Sequence, residues 1–212
     1  MTLAIGVVDY GAGNVLNVLR AFVAVGFEAT LISEEHHLRQ MDATVIPGVG
    51  SFDAGMRGLR QNGLDLVIRE MVELQKPILG ICLGMQLLAT TSEESPGVEG
   101  LNLIPGDVQL IGAENSNLSL GRVPQTGWNS TTFQCHFGDF PVGDQVDFYY
   151  SHSYRFQPQV ATVVLATKTS ADDVFIPSVI QQNFVTGAQF HPEKSGANGL
   201  LFLSEWVRQN MA

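Results

Sequence analysis

Residues 76–92 read Lys-Pro-Ile-Leu-Gly-Ile-Cys-Leu-Gly-Met-Gln-Leu-Leu-Ala-Thr-Thr-Ser. Pro77 to Ile81 is an apolar run of strand length without polar alternation, the pattern of a strand buried on both faces. Residues 83–91 carry helical spacing. A buried strand that passes at once into a helix is half of a strand–helix–strand unit, and such units stack into a parallel sheet covered by helices on both sides.

The flanking chain repeats the pattern. LAIGVVD (3–9) leads into a helical stretch 14–25, with Leu16, Leu19, Phe22 and Val23 as its apolar stripe. EATLIS (28–33) and ATVIP (43–47) are further strands, and helices are expected near 53–61 and 64–74. Beyond residue 105 the pattern turns to strands at 107–111, 146–151, 161–167, 174–181 and 185–190, read as antiparallel or mixed. The stretch 112–140 is polar and rich in Gly, Asn and Ser, so surface loops are expected there. A closing helix spans 197–209, with Leu200, Leu203 and Val207 on one side. The expected architecture is α/β in one domain over 1–212. Its central sheet is mixed but mostly parallel, with helices on both faces and antiparallel strands in the C-terminal half.

Composition narrows the function. The chain has 212 residues, 45% of them hydrophobic, enough for a sizeable core. Its net charge of −10 and only 11 basic residues argue against nucleic-acid or membrane-surface partners, which need clustered Lys and Arg. The apolar opening lacks a basic leader and is ended by Asp9, so no secretory signal is expected. The uncharged segment Pro77 to Ser92 falls short of the roughly 20 residues a membrane helix needs. Two cysteines, Cys82 and Cys135, make no disulfide framework, which predicts a reducing cytoplasm.

Gly80-Ile81-Cys82-Leu83-Gly84 at a strand–helix junction has the form of a nucleophile elbow. The turn is tight, and small neighbours let chain segments approach. A thiolate there is stabilised by the helix amides, and the Leu83 amide is placed to donate to an oxyanion. A buried structural cysteine is the plain alternative. A base decides between them. Of five histidines, His36 and His37 lie in a charged, solvated stretch. His136 beside Cys135 is weak evidence for a metal site, and none is expected. His152 ends a strand. His191, in QFHPEKSG, follows the last strand with Glu193 two residues on. In extended backbone the two side chains share a side, so Glu193 can hydrogen-bond the imidazole and orient it. Pro47-Gly48-Val49-Gly50 is the expected source of a second oxyanion donor, at Val49 or Gly50.

Cys-His-Glu alone indicates acyl transfer without naming the acyl group, so a peptidase stays open. Gly11-Ala12-Gly13 suggests a dinucleotide-binding module, but Leu16 stands where the third glycine of that fingerprint belongs. The simpler reading is a turn with Asn14 as helix cap.

Taken together, PGVGSF, GICLGMQLL and QFHPEKS resemble the class I, triad-type glutamine amidotransferases. Within them the chain is similar to the glutaminase subunits of imidazole glycerol phosphate synthase; DYGAGN, GLNLIPGDV (100–108), GWN (127–129) and FYYSHSY (148–154) follow the same pattern. The resemblance implies Cys82 as nucleophile, His191 as general base and acid, and Glu193 as its orienter. It implies Gln86 and Glu94 as glutamine-binding residues, Glu94 taking the α-ammonium, with backbone groups at Ser153 and Tyr154 holding the α-carboxylate. It implies no cofactor, and as partner a (β/α)8-barrel cyclase that receives ammonia. A glutaminase serving a pyridoxal phosphate or anthranilate system is the alternative from which PGVGSF, GWN and YSHSY tilt the reading away. Departures are Gln125-Thr126 where the family's VPHMGWN has His-Met, Ser151 where an apolar residue is commoner, and Gly55 where alanine is usual. None touches the triad.

Overall fold

The computed structural model describes residues 3–112, 123–169 and 175–210. In chain order the first half gives β1 (Ile5–Val8), α1 (Val15–Ala24), β2 (Ala29–Ile32), α2 (Glu35–Leu38), β3 (Ala43–Ile46), α3 (Phe52–Gln61), α4 (Leu64–Glu73), β4 (Ile78–Ile81) and α5 (Leu83–Leu87). The second half gives β5 (Thr91–Ser92), β6 (Gly106–Leu110), β7 (Gln125–Phe133), β8 (Gln145–His152), β9 (Tyr154–Pro158), β10 (Val164–Thr169), β11 (Phe175–Gln182), β12 (Val185–Ala188) and α6 (Gly196–Asn210).

The strands form a nine-stranded sheet, ordered β2-β1-β3-β4-β12-β11-β10-β7-β8, and a three-stranded sheet, β5-β6-β9. From β2 to β12 all pairings are parallel; from β12 to β8 all are antiparallel. The expected mixed α/β sheet is therefore present. β12 lies at the change of sense, next to β4.

Strands covered on both faces explain the uninterrupted apolar runs. Along β3, Ala43 and Val45 join one core and Ile46 the other. One core packs Phe52, Met56, Leu59, Val67 and Met71 of α3 and α4 against the sheet. The opposite core packs Phe22 of α1 and Phe202, Leu203 and Trp206 of α6 with Phe133, Phe148 and Phe190. Several rings of that second core are stacked or edge-on, Phe148 and Phe190 at 3.9 Å between centroids, a geometry that adds to area burial.

Several elements depart from expectation. The α1 stripe is Val18, Ala21 and Phe22, while Leu16 and Val23 are exposed. VLNVLRAFVA is apolar almost all round, so two phases fit the sequence. Within 112–140, where loops were expected, β7 runs antiparallel along β8. Its first residues alternate between half-buried and exposed, which keeps the strand polar. The helix predicted over 83–91 stops at Leu87. The strand expected at 161–167 begins as a 3-10 turn, Ala161–Val163. The short α2, β5 and β9 were not foreseen.

Candidate active site

β4 ends at Ile81 and α5 begins at Leu83, leaving Cys82 in the turn at φ 53°, ψ −106°. Positive φ is strained for a residue with a side chain and persists only where the surroundings enforce it. Here the Cys82 amide donates to the Ala188 carbonyl at 2.7 Å, one step beyond the Ile81–Ala188 pair of the β4–β12 ladder. The flanking glycines are needed for close approach. A Cβ on Gly84 would lie 1.7 Å from the Ile46 carbonyl oxygen, and one on Gly80 2.6 Å from the Gly84 carbonyl oxygen. As the first residue of α5, Leu83 has an amide with no partner inside the helix.

Because Ala188 pairs with Ile81, the residues after β12 emerge beside Cys82. Gln189 Nε2 lies 4.0 Å from the Cys82 sulfur. His191 is 1% exposed, and its Nδ1–H donates to Glu193 Oε1 at 2.8 Å. The pairing is as expected but its geometry is not: Pro192–Lys194 is a 3-10 turn rather than extended chain. Proline at the first position suits that turn. Ser195 fixes it, its hydroxyl donating to the His191 carbonyl at 2.6 Å and accepting from the Tyr149 amide at 2.9 Å. The His191 amide in turn donates to the Tyr149 carbonyl at 2.9 Å.

Burial lowers the imidazole's affinity for a proton. Hydrogen bonding to Cys82 and Glu193, with the negative charge of both, outweighs this and raises the His191 pKa to about 9. The contact to the sulfur is a loose one, outside strict hydrogen-bond geometry. At neutral pH the ring is an imidazolium, a positive charge beside the sulfur.

Cys82 opens onto a cleft of about 270 Å³. Of the other residues expected at the site, Val49, Gly50, Leu83, Gln86, Glu94, Ser153 and Tyr154 line it. His191 and Glu193 sit behind the sulfur rather than in the lining. Gln86 Nε2 donates to the Tyr154 carbonyl at 3.0 Å and to Gln189 Oε1 at 3.2 Å. Glu94 Oε2 accepts from the Phe52 amide at 2.8 Å, so the carboxylate is tethered to the start of α3. Gly50, at φ +117°, continues the loop after β3.

Residues 6–206 match the glutamine amidotransferase class-I family. The chain belongs to that family. It is 40% identical over 206 residues to the imidazole glycerol phosphate synthase subunit HisH of Geobacillus thermodenitrificans, covering 96% of this chain and 94% of that one. To the HisH subunit of Bacillus subtilis it is 38% identical over 205 residues, covering 96% and 95%. A crystal structure of a glutamine amidotransferase superposes with a TM-score of 0.74 at 22% identity, covering 96% of this chain and 99% of that one. PurLQS from Thermotoga maritima gives a TM-score of 0.75 at 19% identity, covering 99% of both chains. These two likenesses establish the fold. As a class-I glutamine amidotransferase, the chain is an enzyme of glutamine hydrolysis.

Several residues of this amidotransferase site escaped the sequence reading. Gln189 is fully buried between Gln86 and Cys82. Ser195 is 1% exposed. His152, left undecided, lines the cleft, with Nδ1 donating to the Tyr154 carbonyl at 2.7 Å. Burial, then the nearby charge of Lys168, lowers its pKa to about 3, so it is neutral. Of the departures from the family pattern, Gln125 and Thr126 pair across β7–β8 with His152 and Ser151. A Cβ on Gly55 would meet Leu87 Cδ1 at 3.0 Å, so alanine would be tight there. The Gly11-Ala12-Gly13 loop leans on the loop after β3: a Cβ on Gly13 would lie 3.3 Å from Gly48 Cα. Asn14 occupies the cap position of α1 without a side-chain cap bond. Among the described residues one group could ligate a metal, Glu34 with His36 and His37, all exposed. Both cysteines are free, Cys82 buried and Cys135 exposed. No helix of the described residues is long and apolar enough to cross a membrane.

Proposed function

We propose that the chain is the glutaminase subunit of imidazole glycerol phosphate synthase in histidine biosynthesis, one amidotransferase domain over residues 1–212. It hydrolyses L-glutamine to glutamate and ammonia and passes the ammonia to a (β/α)8-barrel cyclase that makes imidazole glycerol phosphate and AICAR. The near-full-length identity to HisH subunits supports the assignment. The single observation behind the chemistry is the strained Cys82 at the cleft, beside the His191–Glu193 pair. Free thiols fit a reducing cytoplasm.

The Cys82 thiolate attacks the side-chain carbonyl carbon of glutamine, whose oxygen becomes an oxyanion held by the Leu83 amide and by one at Val49 or Gly50. The His191 imidazolium gives its proton to the departing nitrogen, and the C–N bond breaks to release ammonia. Neutral His191 then takes a proton from water, which attacks the thioester and expels the thiolate, leaving glutamate. Glu193 holds the ring throughout. Gln86 and Glu94 bind the substrate, Glu94 through the α-ammonium, and backbone groups at Ser153 and Tyr154 hold the α-carboxylate.

The test is replacement of Cys82 by alanine. Glutamine hydrolysis should vanish while circular dichroism stays native and the partner still cyclises with added ammonium salt. Cys135→Ala, with no base and no elbow, should leave turnover unchanged. Residual hydrolysis by Cys82→Ala would rule out the thioester route.

A further inference from the structure

Lys168 on β10 is 1% exposed, and among the described residues it forms no ion pair. Its ammonium donates to Gln125 Oε1 at 3.4 Å and lies 4.3 Å above the Tyr150 ring centroid. One amide oxygen and one ring face leave most of its three-donor capacity unused. A buried cation without a counter-charge is costly and is kept where something else completes it.

The surroundings say on which side that completion lies. Tyr150 cannot supply charge: its hydroxyl is engaged by Thr131 and by Ser178 at 2.8 Å, and burial keeps it protonated. His152, the next inward-facing residue of β8, stands 5.6 Å from the Tyr150 ring and is neutral. From β11 the groups facing Tyr150 and Lys168 are uncharged. Gln125 follows Pro124, and Pro124, Ser151 and His152 line the cleft. Lys168 therefore stands one side chain behind the wall that ends at Ser153 and Tyr154, close enough for its charge to depress protonation of His152.

We infer that the Lys168 ammonium, held by Gln125 and Tyr150 behind the cleft wall, is the charge that selects a substrate with a free α-carboxylate. The inference rests on the glutamine-binding reading above. The groups between are neutral and two of them, Tyr150 and His152, are buried, so the attraction is only partly screened. It acts without contact, alongside the direct hydrogen bonds from the backbone at Ser153 and Tyr154. Burial lowers the Lys168 pKa to about 8, so the attraction is present below that pH and fades above it. The other titrating neighbours do not mimic this: His152 is neutral throughout, and His191, without the Cys82 sulfur in both chains, is common to variant and parent.

The experiment measures binding calorimetrically in the Cys82→Ala chain, which cannot turn over, with L-glutamine and with L-glutaminamide, whose α-carboxylate is an uncharged amide. Lys168→Met should weaken L-glutamine by on the order of 10-fold at pH 7 and leave L-glutaminamide unchanged. The glutamine gap between the two chains should close as pH rises past 8. Should Lys168→Met fail to fold, Lys168→Gln keeps a donor to Gln125 without the charge and is measured in its place. Equal weakening of both ligands, or none of either, overturns the inference. Failure of the parent Cys82→Ala chain to bind glutamine at all overturns instead the reading on which it rests.

Discussion

Glu193 shows most directly how one side chain bears on the proposed chemistry. Its Oε1 is the partner of His191 Nδ1, and its charge helps hold the imidazolium to about pH 9. Glu193→Gln keeps an acceptor but removes that charge, so the folded-state pKa of His191 should fall and the alkaline limb of kcat should move to lower pH. The turnover loss should be on the order of 10- to 1000-fold, below the ~10⁴ of a neutralised serine-protease carboxylate. A pH–rate profile checks both, and an unmoved alkaline limb would contradict the role given to the carboxylate. Cys82, His191 and Glu193 were legible because each is marked by its chain neighbours: glycines at 80 and 84, and a proline at 192. Gln189, Ser195 and Lys168 were not, because their meaning lies in contacts 107, 46 and 43 residues away.

At the scale of elements, the 3-10 turn after β12 is the part whose geometry sequence reasoning mistook. Its conformation depends on Ser195, which joins the His191 carbonyl to the Tyr149 amide and so pins the turn to β8. Ser195→Ala leaves that part-buried amide without its partner, at a cost toward the low end of about 1–3 kcal/mol. Denaturant unfolding should show this loss, accompanied by a fall in kcat as His191 loses its support. Native stability and native turnover together would mean that the hydroxyl bridge is dispensable. β1, β3 and β4 could be read from the chain because burial on both faces leaves unbroken apolar runs. β7 could not, since QTGWNSTTF carries its tryptophan at an exposed position among polar residues and has a glycine at φ +123°. The phase of α1 was lost for the opposite reason, too many apolar residues.

For the whole molecule, the cleft mouth bears on the proposed partnership. Val49, a large apolar group 43% exposed, stands in the cleft lining. With a barrel cyclase covering such a mouth, ammonia need not enter bulk water as ammonium. The isolated chain should show low glutaminase activity, rising on the order of 100-fold or more when the cyclase and its nucleotide ligand bind, the worth of one oxyanion donor. Gly50→Pro, which fixes φ and deletes an N–H, should blunt that rise more than it weakens glutamine binding. Full turnover by the subunit alone would remove the case for control by a partner. The Cys82–Ala188 hydrogen bond has a further consequence. It makes the Cys82 amide a rung of the central sheet, whereas Val49 and Gly50 hang from a loop. In deuterated buffer the Cys82 amide should therefore exchange only through global unfolding, and those of Val49 and Gly50 through local fluctuation. Heating would then silence the enzyme reversibly at its loop before the sheet that carries the sulfur comes apart.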